Sequence, residues 1–109
     1  MALTGIEGGA GKVVQGKAAQ ALIAECLAAY SNGSIDALYD LGVAFSTGSH
    51  GTNSDMIEAH KWFNIAASKG HEEAAWCRAD VSEEMTAREI AEAQRRAREW
   101  LIEGHRKAA

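Results

Sequence analysis

The sequence predicts an all-α protein of about five helices. Alanine supplies much of the 47% hydrophobic content, and the 109 residues contain no proline. Alanine is the strongest helix former and proline the weakest, so both features favour helices. Apolar residues also recur at helical spacing in five successive stretches, which glycine-bearing turns separate. A chain of this length forms one domain around a single core.

The first predicted helix follows a glycine-rich stretch at residues 1–16. We expect that stretch to be a flexible tail, because glycine disfavours helix and strand alike. In residues 17–32 apolar side chains recur every three or four positions, and Asn32-Gly33 then supplies a helix stop. The apolar stripe consists of Ala19, Leu22, Ile23, Cys26, Leu27 and Tyr30.

The second predicted helix begins at Ser34, whose side chain can cap it, and ends before a glycine-bearing loop at residues 47–53. Gly42 lies inside this helix. A glycine in a helix interior costs about 1 kcal/mol relative to alanine, so we expect a neighbouring helix to approach closely there. The apolar positions are Ile35, Leu38, Leu41, Val43 and Phe45.

The third predicted helix begins at a capping box, Asp55-Met-Ile-Glu58, and ends at Gly70. Trp62 and Phe63 are expected to fill the space that small residues on the same face leave open. Burying each ring contributes about 2–3 kcal/mol. The whole apolar face consists of Ala59, Trp62, Phe63, Ala66 and Ala67.

Two further helices follow. The fourth spans about residues 72–84 and is expected to bury Ala75, Trp76 and Ala79. A second capping box, Thr86-Ala-Arg-Glu89, opens the fifth helix. We expect that helix to span about residues 87–103, to end at Gly104 and to leave residues 105–109 frayed. Its inward positions are Ile90, Ala93, Ala97, Trp100 and Leu101.

A helix pair is repeated along the chain. The acidic, aromatic and small residues of positions 36–42 return at positions 73–79, and positions 58–61 return at positions 92–95. The two offsets differ only by a change in loop length, which costs little. The helical domain, residues 17–104, therefore divides into a half unit at 17–33, a full unit at 34–70 and a second unit at 71–104.

The full unit carries a recognisable pattern. It reads Ala37-x-Tyr39-x-Leu41-Gly42-x-x-Phe45, then a glycine-bearing loop and Asp55, then Ala59-x-x-Trp62-Phe63-x-x-Ala66-Ala67-x-x-Gly70. This pattern resembles the Sel-one-like branch of the tetratricopeptide repeats. Thr52 stands where that family usually has a small apolar residue, and Arg96-Ala97 replaces the aromatic pair in the second unit.

The resemblance implies an α-solenoid that serves as a protein-interaction scaffold and has no activity of its own. In such a stack each unit completes its core only against its neighbour. The structural repeat core is expected to comprise Leu38, Leu41, Gly42, Phe45, Ala59, Trp62, Phe63, Ala66 and Gly70.

The concave face of such a stack is lined by the first helix of each pair. By helical phase, that face is an acidic groove with two aromatic residues, which suits a basic or amphipathic peptide of another protein. The alternative is that the acids form a solvated face and the rings belong to the core. The expected partner-binding residues are Asp36, Tyr39, Asp40, Val43, Glu73, Trp76, Asp80 and Glu84.

Two other functions are considered. The protein could self-associate as a homodimer through its first helix or through residues 100–102, because a short stack leaves the apolar surface at its end uncovered. The last helix could bind nucleic acid through Arg88, Arg95, Arg96 and Arg98. However, the net charge is −4 and glutamates interleave with these arginines, so a self-paired helix face is favoured and nucleic-acid binding is unlikely.

The residue pattern offers no catalytic, metal or cofactor site. The histidines and the two cysteines lack the spacing of a zinc site, so each histidine is expected to be an ordinary surface residue. No nucleophile has a neighbouring base, which argues against an enzyme. No signal peptide and no membrane-spanning run are found, so we expect a cytoplasmic protein with free thiols at Cys26 and Cys77 and no membrane partner.

Overall fold

The computed structural model describes the backbone of residues 16–108 and the side chains of residues 16–104. Within this part of the chain five helices and no strand are present, so the all-α prediction is confirmed. The predicted tail at residues 1–16 lies outside the described residues apart from Gly16, and so do the side chains of residues 105–109. The helices are α1 (Lys17–Ser31), α2 (Asp36–Thr47), α3 (Met56–Ser68), α4 (Glu72–Ser82) and α5 (Ala87–Ala108).

Helix α3 is the centre of the packing, since it contacts α2, α4 and α5, whereas α1 packs against α2. Four of the five residues of the expected apolar face of α3 are buried, with Trp62 and Phe63 each only 1% exposed, and Ala67 is half-buried. The largest fully buried side chains of the core come from α2 and α3; they are Trp62, Phe45, Phe63, Leu38, Leu41 and Ile65.

An aromatic cluster connects α1, α3 and α5. The ring of Trp100 in α5 lies 5.6 Å from that of Trp62 in an edge-on arrangement, and 6.0 Å from that of Tyr30 in α1. Such tilted pairs are favourable beyond the area that they bury. Trp100 therefore packs inward as expected, and it links α5 to both α1 and α3.

Both predicted capping boxes start helices, but only one is complete. Thr86 Oγ1 accepts from the Glu89 N–H at 3.1 Å, and the Thr86 N–H donates to Glu89 at 2.9 Å. At α3, Asp55 Oδ1 accepts from the Glu58 N–H at 3.1 Å, whereas the Asp55 N–H donates to the Phe45 carbonyl. The Glu58 side chain is thereby free for another role.

The predicted inner face of α4 is wrong. Ala79 and Trp76 are exposed, Trp76 to 72%, and Ala75 is only half-buried. The buried residues are instead Ala74 and Val81. Helix α4 lacks the large apolar residues of α2, so its contact with α3 follows a narrow line of small side chains.

Helix α5 extends beyond the predicted end at Gly104 and continues to Ala108. A glycine disfavours a helix by only about 1 kcal/mol, which the surrounding helix formers compensate. No helix in the described part of the chain is both long enough and apolar enough to cross a membrane.

Candidate functional site

A groove of about 310 Å³ lies between α2 and α4. Phe63 of α3 and Val81 form its apolar floor, and Asp80 contributes the one carboxylate of its lining. The groove is open to solvent, so a chain from outside can reach it. Its lining consists of Tyr39, Val43, Ser46, Phe63, Cys77, Asp80 and Val81.

Tyr39 forms the most constrained wall of the groove. Its ring is stacked on that of His71 at 4.6 Å and lies 5.8 Å from that of Phe63. The Cys77 thiol donates to the Tyr39 hydroxyl across 4.0 Å. Burial raises the pKa of Tyr39, and the contact with Cys77 and nearby carboxylates raise it further. The phenol therefore stays neutral and can donate a hydrogen bond at physiological pH.

His71 joins the two helices at one end of the groove. Its Nδ1 accepts from the Ala74 N–H at 3.1 Å and so caps α4. Because Nδ1 is an acceptor, the proton is on Nε2, which lies 2.8 Å from Asp36 Oδ1 and donates to it. The sequence pattern alone predicts no role for His71, because histidine is not among the usual capping residues. Its position directly before α4 was the available signal.

Three of the expected partner-binding residues are brought together, since Tyr39, Val43 and Asp80 all line the groove. Asp36 lies at its end, paired with His71. Asp40 lies on the side of α2 that faces α1, where burial first and the Asp40 charge second raise the pKa of the Cys26 thiol.

Four groove residues, Ser46, Phe63, Cys77 and Val81, lie outside that expected set, although the sequence contains a signal for Phe63 and Cys77. Phe63 was assigned only to the core, yet its ring also forms the groove floor. Cys77 occupies the position one turn after Glu73 on the helix face that looks toward α2. Both cysteines are free thiols, as expected, and Cys77 is the less buried of the two.

The remaining expected residues lie outside the groove. Trp76 and Glu73 line a separate open cavity of about 530 Å³ at the first turn of α4, together with Gly70, His71 and Glu72. This cavity and the groove share no lining residue. Tyr39 and Trp76 therefore belong to two neighbouring surfaces, and Glu84 is exposed just beyond the end of α4.

Two of the four arginines considered in α5, Arg95 and Arg96, form the intrahelical pairs that their spacing predicts. Arg95 pairs with Glu92 at 2.7 Å and with Glu99 at 2.5 Å, and Arg96 pairs with Glu92 at 2.7 Å. Hydrogen bonds from Arg95, then from Arg96, lower the pKa of Glu92 to about 2. These two guanidinium groups are thus engaged within the protein.

One histidine differs from the expectation of a surface residue. His60 is only 2% exposed, and its Nδ1 is a buried atom with no hydrogen-bond partner. Among the side chains of residues 16–104, no three histidine, cysteine, aspartate or glutamate residues lie close enough together to hold a metal ion. The unpartnered imidazole therefore belongs to the packing of α3 and not to a metal cluster.

Comparison of the chain with protein-family models, with curated proteins and with solved structures finds no match. The function is therefore inferred from the chemistry and geometry of two neighbouring surfaces, the groove between α2 and α4 and the cavity at the first turn of α4.

Proposed function

We propose that this protein is a non-catalytic protein-interaction module, a short α-solenoid of Sel-one-like type that binds a basic or amphipathic segment of another protein. The observation that supports this proposal is the groove between α2 and α4, with its apolar floor and its single carboxylate at the rim. In the predicted repeat, α2 and α4 are the first helices of the two units. A repeat scaffold of this type binds its partners on the face that these first helices line.

The shape of the groove favours a polypeptide ligand. It is an open channel between two helices and not an enclosed cavity, so a side chain of a passing segment can enter without displacing a helix. Apolar side chains would bury surface mainly against Val43, above the floor that Phe63 and Val81 close, which supplies affinity. The tilted Tyr39 ring offers a rigid aromatic contact of the kind that dominates interfaces.

Electrostatics favour a basic segment. Asp80 is the one carboxylate that lines the groove, and by helical spacing Glu73 and Glu84 lie outside it on the same side, two turns before and one turn after Asp80. Such a row accelerates the association of a positively charged partner and disfavours an acidic one.

A filled groove tests the proposal. Basic helical peptides are titrated against the wild type and against Val43→Trp, whose larger side chain occupies the groove, with Ala28→Trp on the exposed side of α1 as the matched control. We expect at least tenfold weaker binding for Val43→Trp and unchanged binding for the control. Equal affinity of all three proteins would refute the groove as the site.

A charge reversal tests the electrostatic part. Asp80→Lys is compared with Glu25→Lys, because both sites are exposed and both substitutions change the net charge equally. We expect Asp80→Lys to lower the affinity for the peptide and to reduce the dependence of that affinity on salt. Glu25→Lys should change neither. Alkylation of Cys77, followed by mass spectrometry, provides an independent measure, since a bound peptide should protect this thiol.

Self-association is the second candidate, and Ile102 favours it. Trp100 and Leu101 pack against the core, but Ile102 is 53% exposed on α5. Light scattering over a wide concentration range, with Ile102→Lys as the variant, tests this alternative. A monomer at every concentration would exclude it. Nucleic-acid binding by α5 is the weakest candidate, because Arg95 and Arg96 already pair with carboxylates.

A further inference from the structure

We propose that the outer face of α4 is a docking surface for a basic amphipathic helix, with Trp76 as its central apolar anchor. The outer face consists of Glu72, Trp76, Ala79, Asp80 and Glu83, which are all exposed. This inference rests on the proposed function and deepens it, because it specifies the partner and adds a second contact surface beside the groove.

The first observation is the position of Trp76. The buried residues of α4, Ala74 and Val81, lie on one side of the helix, and helical spacing places Trp76 on the opposite side. Its side chain therefore points away from the core and is 72% exposed. An exposed tryptophan leaves a large apolar surface in contact with water. Tryptophan is also a frequent anchor residue of protein interfaces.

The second observation is the charge of the same face. It carries carboxylates before and after Trp76 and no basic residue. The one arginine of α4, Arg78, is turned to the other side, where its Nη1 donates to Asn64 at 2.7 Å. A partner helix with an apolar residue flanked by lysines or arginines one turn away on each side is complementary to this arrangement.

Helix stability does not account for these acids. Glu72 lies in the first turn, where a negative charge interacts favourably with the helix dipole. Asp80 and Glu83 lie at the opposite end, where a negative charge is unfavourable, and no basic residue occupies the last turn. The free protein therefore retains both an exposed tryptophan and misplaced charges. A basic amphipathic helix would relieve both.

Asp80 connects the two surfaces, because it lines the groove and also belongs to the outer face of α4. A helix that lies across α4 can therefore contact Trp76 with one apolar residue and direct a second toward the groove. The partner is a basic helix of another protein. The competing occupant, a second copy of this chain, is distinguished by the experiment.

The experiment first measures the surface and then its occupation. Of the three tryptophans, Trp62 is 1% exposed, Trp100 is partly buried against the core and Trp76 is 72% exposed, so the collisional quenching of fluorescence that Trp76→Phe removes reports on Trp76. With each ion normalised to its quenching of free N-acetyltryptophanamide, caesium should quench more strongly than iodide, because the surrounding carboxylates attract the cation, and Trp76→Phe should remove most of the quenching. Equal normalised quenching by the two ions would overturn the electrostatic basis of the proposal.

A lysine-rich amphipathic helical peptide without tryptophan is then titrated. We expect the peptide to protect Trp76 from quenching, and Trp76→Ala to weaken binding at least tenfold. Glu72→Lys with Glu83→Lys should weaken it further and reduce its salt dependence. Trp76 is exposed, so its truncation should leave the helical circular dichroism unchanged.

The outcomes separate this inference from the proposed function. Loss of binding in Trp76→Ala supports the outer face. Loss only in Val43→Trp overturns the outer face and leaves the groove as the site. Unchanged binding in both variants overturns both proposals. Concentration-dependent dimerisation that Trp76→Ala abolishes assigns the surface to a second copy and overturns the basic partner.

Discussion

Arg96 Nη1 lies 2.8 Å from Glu58 Oε2, and this ion pair fastens α5 to the buried face of α3. Glu58 is 4% exposed, and its other oxygen accepts from the indole N–H of Trp62 at 3.2 Å. In the predicted repeat, Arg96 corresponds to Trp62 of α3, so a charged side chain stands where the other helix has an aromatic one.

Replacement of Arg96 by alanine should destabilise the fold. It leaves a buried carboxylate with only Lys61, 3.5 Å away, as a charged partner. We expect the free energy of unfolding in urea to fall by about 1–3 kcal/mol, the cost of a poorly paired buried polar group. Arg95→Ala is the matched control and should cost much less, because the ion pairs of Arg95 are exposed. Equal losses would contradict the structural role of Glu58.

Gly42 and Gly104 should respond in opposite ways to alanine. A Cβ at Gly42 would lie 2.5 Å from Cε1 of Phe63, whose ring is buried and would have to shift. We expect Gly42→Ala to lose about 1–3 kcal/mol of stability through overpacking, despite a gain in helix propensity of about 1 kcal/mol. A Cβ at Gly104 would have no atom within 4 Å, so Gly104→Ala should increase the stability of the protein. Thermal unfolding of both variants measures the two signs.

The close approach at Gly42 was predictable from the sequence, and so were the five helices and the core around Trp62. Large apolar residues at regular spacing and two capping boxes fix these features locally. The phase of α4 was not predictable in the same way, because its apolar residues are small and do not define one face. The sequence therefore placed Trp76 both in the core and beside Tyr39 in the groove, whereas it belongs to neither.

The histidines show a second limit of the sequence. The capping role of His71 depends on a ring nitrogen that faces the Ala74 N–H, which spacing does not reveal. The burial of His60 depends on the packing of α4 over α3, and an isolated helix wheel does not include that contact. Both features follow from tertiary geometry and not from local pattern.

Thr52 explains why a polar residue is tolerated where the resembling family has a small apolar one. Its hydroxyl donates to the Ser49 carbonyl at 2.7 Å and lies 3.1 Å from that of Ala44, and the side chain is 6% exposed. We expect Thr52→Val to cost about 1 kcal/mol, the typical net worth of such a hydrogen bond. Thr47→Val, at an exposed site, is the control. A stability gain in Thr52→Val would show that the hydroxyl is dispensable.

The stability of the protein should fall when the pH drops below about 6.5, because of His60. Burial, and second the positive charge of Arg78, lower the pKa of His60 from its ordinary value of 6.5. At a pH between the lowered pKa of His60 in the folded protein and its ordinary pKa in the unfolded chain, the unfolded chain binds a proton that the folded protein excludes. The free energy of unfolding therefore decreases as the pH falls through 6.5 and stops decreasing below the folded-state pKa.

Urea unfolding between pH 5 and pH 8 tests this, with His60→Leu as the comparison. The wild type should lose stability toward pH 5, and the variant should show a flatter profile because leucine does not titrate. Glu92 does not interfere, since its pKa is lowered from 4.5 to about 2 and its contribution changes only at more acidic pH. Arg78→Met should retain the slope in weaker form, because burial is the larger cause and remains. Parallel profiles for wild type and His60→Leu would assign the acid sensitivity to another group.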